Sequence, residues 1–236
     1  MKTIQSFLLI GQLLFLLACG GSSNQENADK NTDADTNKGA SNSSETGNAD
    51  QIKRYGIQSG IIKYKLTGLQ TGEETLYFDQ WGMREAKFNQ VTTKLGGVSA
   101  PNETLTILNN EAMYIIDPIK KTGIKAGNNM LDQLKVVAAN AEGNLAEAGL
   151  KMLEAMGGKR EGTGEVLGKT CEIWVLESTK TKMWVWKGIT LKSTINIMGT
   201  GQTNEAIDIQ TDTKVPSDKF KVPEGIKLTD MPAMVK

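Results

Sequence analysis

The amino-acid sequence predicts an α+β fold in which an antiparallel sheet accompanies one helical stretch. Apolar and polar residues alternate with period two between residues 62 and 116, and this alternation returns between 164 and 210. Between residues 128 and 156 the apolar residues instead recur at three-four spacing. Period two is typical of half-buried strands and three-four spacing of an amphipathic helix. Because short turns separate the strands within each group, the sheet is predicted to be an antiparallel meander.

The first group of strands carries its apolar side chains at alternate positions. Those predicted to face the core are Ile62, Tyr64, Leu66, Leu76 and Phe78, and a further strand is expected over 85–91. We expect a turn at Thr71-Gly72, because glycine marks turns. Residues 104–108 and 112–116 are predicted to form a hairpin around Asn109-Asn110, since asparagine tolerates the positive φ of a tight turn.

The helical stretch is predicted over 128–156. Its apolar face consists of Leu131, Leu134, Ala138, Ala141, Leu145, Ala148 and Met152. Asn128 or Asn129 can cap its start, and Gly157-Gly158 can end it. Gly143 costs a helix about 1 kcal/mol relative to alanine, so a break into two helices near 140–144 is expected.

The second group of strands places Cys171, Ile173 and Val175 on one face of a strand and Trp174 and Leu176 on the other. Further strands are predicted around Met183 to Trp186, Leu191 to Ile197, and Ile207 with Ile209, the last two sharing a face. Pro216, Pro223 and Gly225 predict an irregular segment after the last strand.

Residues 1–19 form a predicted export signal. Lys2 precedes a short apolar run over 7–17, which is too short to span a bilayer stably. Leu16, Leu17, Ala18 and Cys19 resemble the lipobox of bacterial lipoproteins, and this resemblance implies a diacylglycerol on Cys19, cleavage after Ala18 and a third acyl chain on the new N-terminus. The alternative is an ordinary signal peptide that contains Cys19.

The lipobox resemblance also implies a location. Several acyl chains on Cys19 anchor a protein stably, at about 0.8 kcal/mol per buried methylene. In lipoproteins an aspartate after the lipidated cysteine favours the inner membrane, and Gly20 stands there in this chain. The resemblance therefore implies a periplasm-facing protein of the outer membrane, with the cell surface as the alternative.

Residues 20–50 are a predicted tether, and residues 51–236 a predicted single domain. The tether contains no aromatic residue, leucine or branched aliphatic residue, so it cannot bury enough surface to offset its ordering entropy. It carries six acidic and two basic side chains, whereas the domain carries 21 acidic and 24 basic ones. The net charge of zero is therefore an average over unlike parts.

Composition excludes several kinds of chemistry. The chain has no histidine, so Ser-His-Asp and Cys-His catalytic sets and the usual zinc sites cannot be built. We predict no metal and no cofactor, and the neutral total charge speaks against nucleic acid. Cys171 is the only cysteine besides Cys19, so it is predicted to be a buried thiol on a strand.

The strand group around 168–174 and 183–192 resembles the bacterial lipoprotein carrier and acceptor superfamily of the Lol type, as an uncharacterised subfamily of it. The resemblance covers roughly residues 55–230 and implies a strongly curved antiparallel sheet, an unclosed barrel, with the mid-chain helical segment against its concave face. It implies that the apolar interior holds acyl chains. The arginine that gates acyl chains in the carrier has no counterpart that can be assigned here.

Five residues are the candidate lining of a ligand site, namely Trp174, Trp184, Trp186, Met152 and Met156. Trp184 and Trp186 share a face by alternation, and methionine suits adaptable apolar surfaces. The alternative for all of them is ordinary core packing.

Three functions remain open on the sequence. The first is a non-catalytic lipoprotein, attached to the membrane through Cys19, that binds an acyl chain or lipid. The second is an envelope scaffold or protein-interaction lipoprotein with a filled core. The third is a hydrolase that uses Asp208 and Asp212 with Glu205, although the polar outer face of an antiparallel sheet explains these carboxylates as well.

Overall fold

The computed structural model describes residues 52–95, 97–109, 112–126, 144–197 and 199–231. The predicted signal (1–19), the predicted tether (20–50) and the first part of the predicted helical stretch (128–143) lie outside the described residues. Predictions that concern them remain predictions.

Twelve strands and one α-helix lie in the described residues. The strands are β1 (Gly60–Gly68), β2 (Gln70–Asp79), β3 (Arg84–Leu95), β4 (Val98–Leu108), β5 (Met113–Asp117), β6 (Thr122–Ala126), β7 (Gly158–Val166), β8 (Lys169–Leu176), β9 (Thr181–Trp186), β10 (Ile189–Ile197), β11 (Thr200–Thr211) and β12 (Lys227–Asp230). The helix α1 (Leu145–Ala155) connects the two groups of strands. Short 3-10 helices occupy Gln80–Gly82, Glu177–Thr179 and Ser217–Phe220.

All twelve strands belong to one sheet, in the order β12-β6-β5-β4-β3-β2-β1-β11-β10-β9-β8-β7. Every neighbouring pair is antiparallel except β12 and β6, which are parallel. The pairing of β1 with β11 joins the first strand group to the second. Because β7 and β12 end the order and do not pair, the sheet does not close. The predicted α+β fold with an unclosed, mostly antiparallel sheet is confirmed.

Strand β1 shows the predicted alternation of buried and exposed side chains. Ile62, Tyr64 and Leu66 are buried, whereas Lys63 and Lys65 point to the other face and are exposed. Ile62 and Tyr64 belong to the first core cluster, which also comprises Ile57, Leu76, Phe78, Val166, Cys171, Ile189, Leu191 and Ala206. Removing a side chain of this size from water contributes about 1.5–3 kcal/mol.

The C-terminal segment covers a second core cluster. Val215 and Phe220 pack with Ala86, Ile107, Ala112, Tyr114 and Ile116. The guanidinium of Arg84 lies 4.4 Å from the centre of the Phe220 ring. The prediction of an irregular segment here was only partly right, because residues 227–230 form the parallel edge strand β12. A strand of four exposed residues has no periodic signal that the sequence could reveal.

The predicted turn at Thr71-Gly72 is wrong. Both residues lie within β2, and the chain reverses instead at Gly68 and Leu69. Gly72 has φ +152°, and a Cβ there would lie 2.2 Å from the carbonyl oxygen of Gln90 on β3. The glycine is therefore required by the close approach of a neighbouring strand.

The hairpin of β4 and β5 is confirmed. Leu108 pairs with Met113, and the Asn109 side-chain oxygen accepts a hydrogen bond from the Ala112 amide at 3.1 Å. Asn109 therefore stabilises the turn through a side-chain hydrogen bond and not through the positive φ on which the prediction rested.

The described part of the helical stretch ends as predicted. Asn144 caps α1, since its side-chain oxygen accepts a hydrogen bond from the Glu147 amide at 3.2 Å. After Met156 the Gly157 amide donates to the Glu154 carbonyl at 2.9 Å, and β7 begins at Gly158. None of the described helical segments has the length and apolar character needed to cross a membrane.

Candidate functional site

The three candidate tryptophans lie on β8 and β9. Trp174 pairs with Met183, and Ile173 pairs with Trp184. Paired residues of antiparallel strands share a face, so Trp174 and Trp184 point to opposite faces of the sheet. Trp184 and Trp186 therefore share one face of β9, whereas Trp174 on β8 lies on the opposite face of the sheet.

Trp174 is held as a core residue, with 3% of its surface exposed. Its indole N–H donates to Glu172 Oε2 at 3.2 Å, and Glu172 Oε1 lies 3.0 Å from Arg160 Nη2. A buried indole normally needs such a partner, and here it has one within its own strand.

Trp184 and Trp186 are partly buried against the first core cluster and flanked by lysines. The Nζ atoms of Lys182 and Lys192 lie 5.5 and 5.4 Å from the Trp184 ring centre. Those of Lys169 and Lys187 lie 5.1 and 5.5 Å from the Trp186 ring. Each distance falls within the range of a cation–π contact. We call these six residues the Trp–Lys surface.

The Trp–Lys surface keeps a positive charge. Lys182 pairs with Glu161 at 3.0 Å, and Lys192 pairs with Glu205 at 3.1 Å. Within the described part of the chain, no carboxylate lies within 4.0 Å of the Lys169 or Lys187 ammonium. Four lysines and two glutamates leave the surface with a formal charge of about +2.

Met152 and Met156 lie on α1 and at its end, respectively. Met152 is partly buried, and Met156 is 46% exposed. Neither position nor exposure tests their predicted role in ligand binding.

A depression of about 320 Å³ opens beside the Trp–Lys surface. Its lining consists of Lys65, Thr67, Leu167, Thr203, Glu205, Ala206 and Ile207. None of the five candidate lining residues contributes to it. Glu205 belongs to the lining and also pairs with Lys192, so the depression borders the Trp–Lys surface.

Two apolar side chains in this depression are unusually exposed. Leu167 is 50% exposed and has φ +49° in the turn between β7 and β8, a conformation that costs a residue with a Cβ about 1–2 kcal/mol. Ile207 is 48% exposed because β11 carries a bulge there: Lys63 pairs with Asp208 and Tyr64 with Ala206, which leaves Ile207 without a partner. The predicted shared face for Ile207 and Ile209 is therefore wrong.

A buried ion pair joins Arg54, which precedes β1, to Glu85 on β3. Arg54 Nη1 lies 3.3 Å from Glu85 Oε2 and donates to the Gly82 carbonyl at 2.6 Å, and the Tyr55 hydroxyl also donates to Glu85. Burial by itself raises the pKa of Glu85, but Arg54, Lys87 and the hydrogen bonds from Tyr55 and Arg54 offset it and hold the pKa below its usual value. Burial and the Glu85 charge raise the pKa of Tyr55.

Further polar groups are buried on the same face. The Asn89 amide donates to Glu74 Oε2 at 3.0 Å, while the Asn89 side-chain oxygen has no hydrogen-bond partner among the described residues. Burial raises the pKa of Tyr64, whose hydroxyl donates to the Thr190 carbonyl at 3.1 Å. Sequence alternation gave no signal for this group, because Glu74 and Asn89 lie at core positions that normally carry apolar residues.

The thiol and carboxylates that the sequence raised as candidates are not gathered into a reactive group. Cys171 is fully buried on β8, as predicted, and burial raises its pKa. Asp208 faces Lys63 across the β1–β11 pair, while Asp212 follows the end of β11. The described residues include no group of three or more Cys, Asp or Glu side chains that could hold a metal ion.

No protein-family model matches the chain, and no curated protein sequence matches it. Solved structures are similar in fold. An uncharacterized conserved protein from Thermus thermophilus has 7% identity and a TM-score of 0.46, with 77% of this chain and 96% of that chain covered. LprF from Mycobacterium bovis has 9% identity and a TM-score of 0.32, with 69% and 90% covered.

MucB, solved in the Pseudomonas aeruginosa MucA/MucB complex, has 12% identity and a TM-score of 0.38, with 72% of this chain and 58% of that chain covered. These values show a coarse similarity of fold. They carry no information about function. Membership of the Lol-type superfamily stays a prediction.

Proposed function

We propose that the protein is a non-catalytic lipoprotein, anchored in the outer membrane through Cys19 and facing the periplasm, that binds an acyl chain or lipid. The observation that carries the proposal is the depression of about 320 Å³ with Leu167, Ala206 and Ile207 in its lining. Its volume lies at the lower end of the range of small-molecule sites, which is about 300–1,000 Å³.

The lining suits one acyl chain with a polar or anionic head. Leu167 and Ile207 present exposed apolar surface, and each methylene that they bury contributes about 0.8 kcal/mol. At the rim Lys65 faces Glu205 across the β1–β11 pair, and Glu205 in turn pairs with Lys192. Two cations and one carboxylate at the rim favour an anionic head group over a cationic one.

The position of the depression supports the predicted ligand contact for Trp184 but not for Trp174, which lies on the opposite face of the sheet. A ligand longer than the depression would pass Lys192 and meet Trp184, whose ring is 5.4 Å from that ammonium. No bond is made or broken in this function, and apolar burial supplies the affinity.

The test is lipid extraction and native mass spectrometry of the purified protein. Ile207→Ser is expected to lose most of the co-purified lipid, whereas Ile119→Ser, at a 61% exposed residue outside the depression, should retain it. A parent protein that retains no lipid, or an Ile207→Ser variant that retains as much as the parent, would contradict the proposal.

The anchor is tested separately. Cys19→Ser is expected to release the protein from the membrane fraction and to abolish any acylated N-terminal peptide in mass spectrometry. An unmodified Cys19 in the parent would contradict the anchoring part of the proposal.

A second candidate function, an envelope scaffold, is favoured by the free edge at β7. Among the described residues this strand pairs only with β8, and most of its residues are exposed. An unpaired edge can accept a strand from a partner protein. A photo-cross-linker placed at Lys159 would then trap a partner in cells, and the same probe at Lys221 would not.

A further inference from the structure

We propose that the Trp–Lys surface docks the domain onto an anionic phospholipid bilayer, namely the membrane that carries its anchor. This inference rests on the anchoring part of the proposed function. It assigns to Trp184, Trp186 and their lysines a role that is separate from the acyl site at Leu167 and Ile207.

The side-chain chemistry of this surface matches a membrane interface. Trp184 and Trp186 lie two residues apart on β9 and share its face, with their inner parts packed on the first core cluster. Tryptophan is enriched at membrane–water interfaces because its ring is apolar and its N–H is polar. Lysine stems can lie along such rings while their ammonium groups reach phosphates.

The positive charge of the Trp–Lys surface favours an anionic bilayer over a neutral one. The ammonium groups of Lys169 and Lys187 flank Trp186 from the ends of two turns, β7–β8 and β9–β10. Neither has a carboxylate partner in the described residues, so both can bind phosphate without breaking an ion pair. A lysine close to an anionic bilayer contributes about 1 kcal/mol.

The predicted tether between Cys19 and the domain is long enough for the Trp–Lys surface to contact the bilayer. Residues 20–50 separate Cys19 from the domain, and they carry six acidic side chains against two basic ones. A chain of 31 residues that behaves as the sequence predicts has an r.m.s. reach of about 30 Å. The basic domain can therefore reach the bilayer, while the acidic tether itself is repelled by anionic lipid.

The experiment uses the protein purified from bacterial membranes and reconstituted in vesicles. Vesicles of brominated phosphatidylglycerol and of brominated phosphatidylcholine are compared, and quenching of tryptophan fluorescence is measured. We expect quenching on phosphatidylglycerol that weakens with added salt, and little on phosphatidylcholine. Trp184→Phe/Trp186→Phe should remove it, although Trp81 and Trp174 remain.

Lysine variants give the quantitative test. Lys169→Gln/Lys187→Gln should lower the ratio of docked to undocked protein roughly 30-fold, which corresponds to about 2 kcal/mol. The control Lys221→Gln/Lys227→Gln removes the same charge at exposed positions of the C-terminal segment, which ends in the edge strand β12, and should behave as the parent.

The proposal would be overturned by equal quenching on the two lipids, by full quenching in the Lys169/Lys187 variant, or by an equal loss of quenching in the Lys221/Lys227 control. Absence of quenching on phosphatidylglycerol would overturn it too and would leave the surface to a protein partner. Lipid retention, measured on Lys169→Gln/Lys187→Gln by native mass spectrometry, should be unchanged, because neither lysine lines the depression. A failure of docking is therefore distinguishable from a failure of the acyl site.

Discussion

Arg54→Met is expected to destabilise the fold in a way that depends on pH. Glu85 is 4% exposed, and Arg54 lies 3.3 Å from its carboxylate. Removing one partner of a buried pair leaves an uncompensated charge, which costs about 3–5 kcal/mol. The fall in the free energy of unfolding, measured by urea denaturation at pH 7, should lie in this range.

The sign of the pH dependence follows from the pKa of Glu85. In the parent this pKa is lowered, so the pair stabilises the fold above the unfolded value of about 4.3, and the contribution is lost as the pH falls through the folded value. Without Arg54, burial of Glu85 is offset less, so its pKa should be higher than in the parent. The loss of stability then grows as the pH rises above the unfolded value. The difference between variant and parent should therefore shrink towards pH 4.

Two controls sharpen this test. Lys151→Met breaks the exposed pair with Glu147, and we expect a loss of about 0–1 kcal/mol with little pH dependence. Adding Glu85→Gln to Arg54→Met should recover part of the stability, because a neutral amide needs no cation. A loss below about 1 kcal/mol at pH 7, or one that is unchanged near pH 4, would refute the reasoning.

Three further predictions concern single residues. Gly72→Ala should lower the urea midpoint, with a loss of roughly 1–3 kcal/mol, because its Cβ would lie 2.2 Å from the Gln90 carbonyl oxygen; an unchanged midpoint would show that the strands can separate at no cost. Leu167→Gly should melt no lower than the parent, since it relieves about 1 kcal/mol of backbone strain, yet should retain less lipid in extraction assays. Cys171 should react with a thiol reagent far more slowly in the native protein than in urea, because burial raises its pKa; equal rates would contradict its placement in the core.

Local periodicity predicted the strands because side-chain alternation is a property of neighbouring residues. Ile62, Tyr64 and Leu66 on β1, and the opposite faces of Cys171 and Trp174 on β8, could be predicted in this way. The prediction of strand and turn positions failed where a neighbouring strand, and not the local sequence, determines the conformation. Gly72 lies within a strand because of the approach of β3, not because the chain turns there.

The candidate site was predictable only in part for the same reason. Alternation placed Trp184 and Trp186 on one face, and the structure agrees. Lys169 and Lys192 complete the Trp–Lys surface from β8 and β10, and nothing near Trp184 in the sequence indicates them. The depression was not predictable either, because its two exposed apolar residues come from a turn and a bulge about forty residues apart in the chain.

The sequence by itself determined the α+β class, the faces of the regular strands and the exclusion of histidine-dependent chemistry, because these depend on residue type and short-range spacing. It also carries the predicted lipidation signal at Cys19. Only the tertiary structure decided the order of twelve strands, the bulge that exposes Ile207 and the ring of lysines around two tryptophans. These features depend on which strands pair, and the pairing of β1 with β11 joins residues more than 130 positions apart.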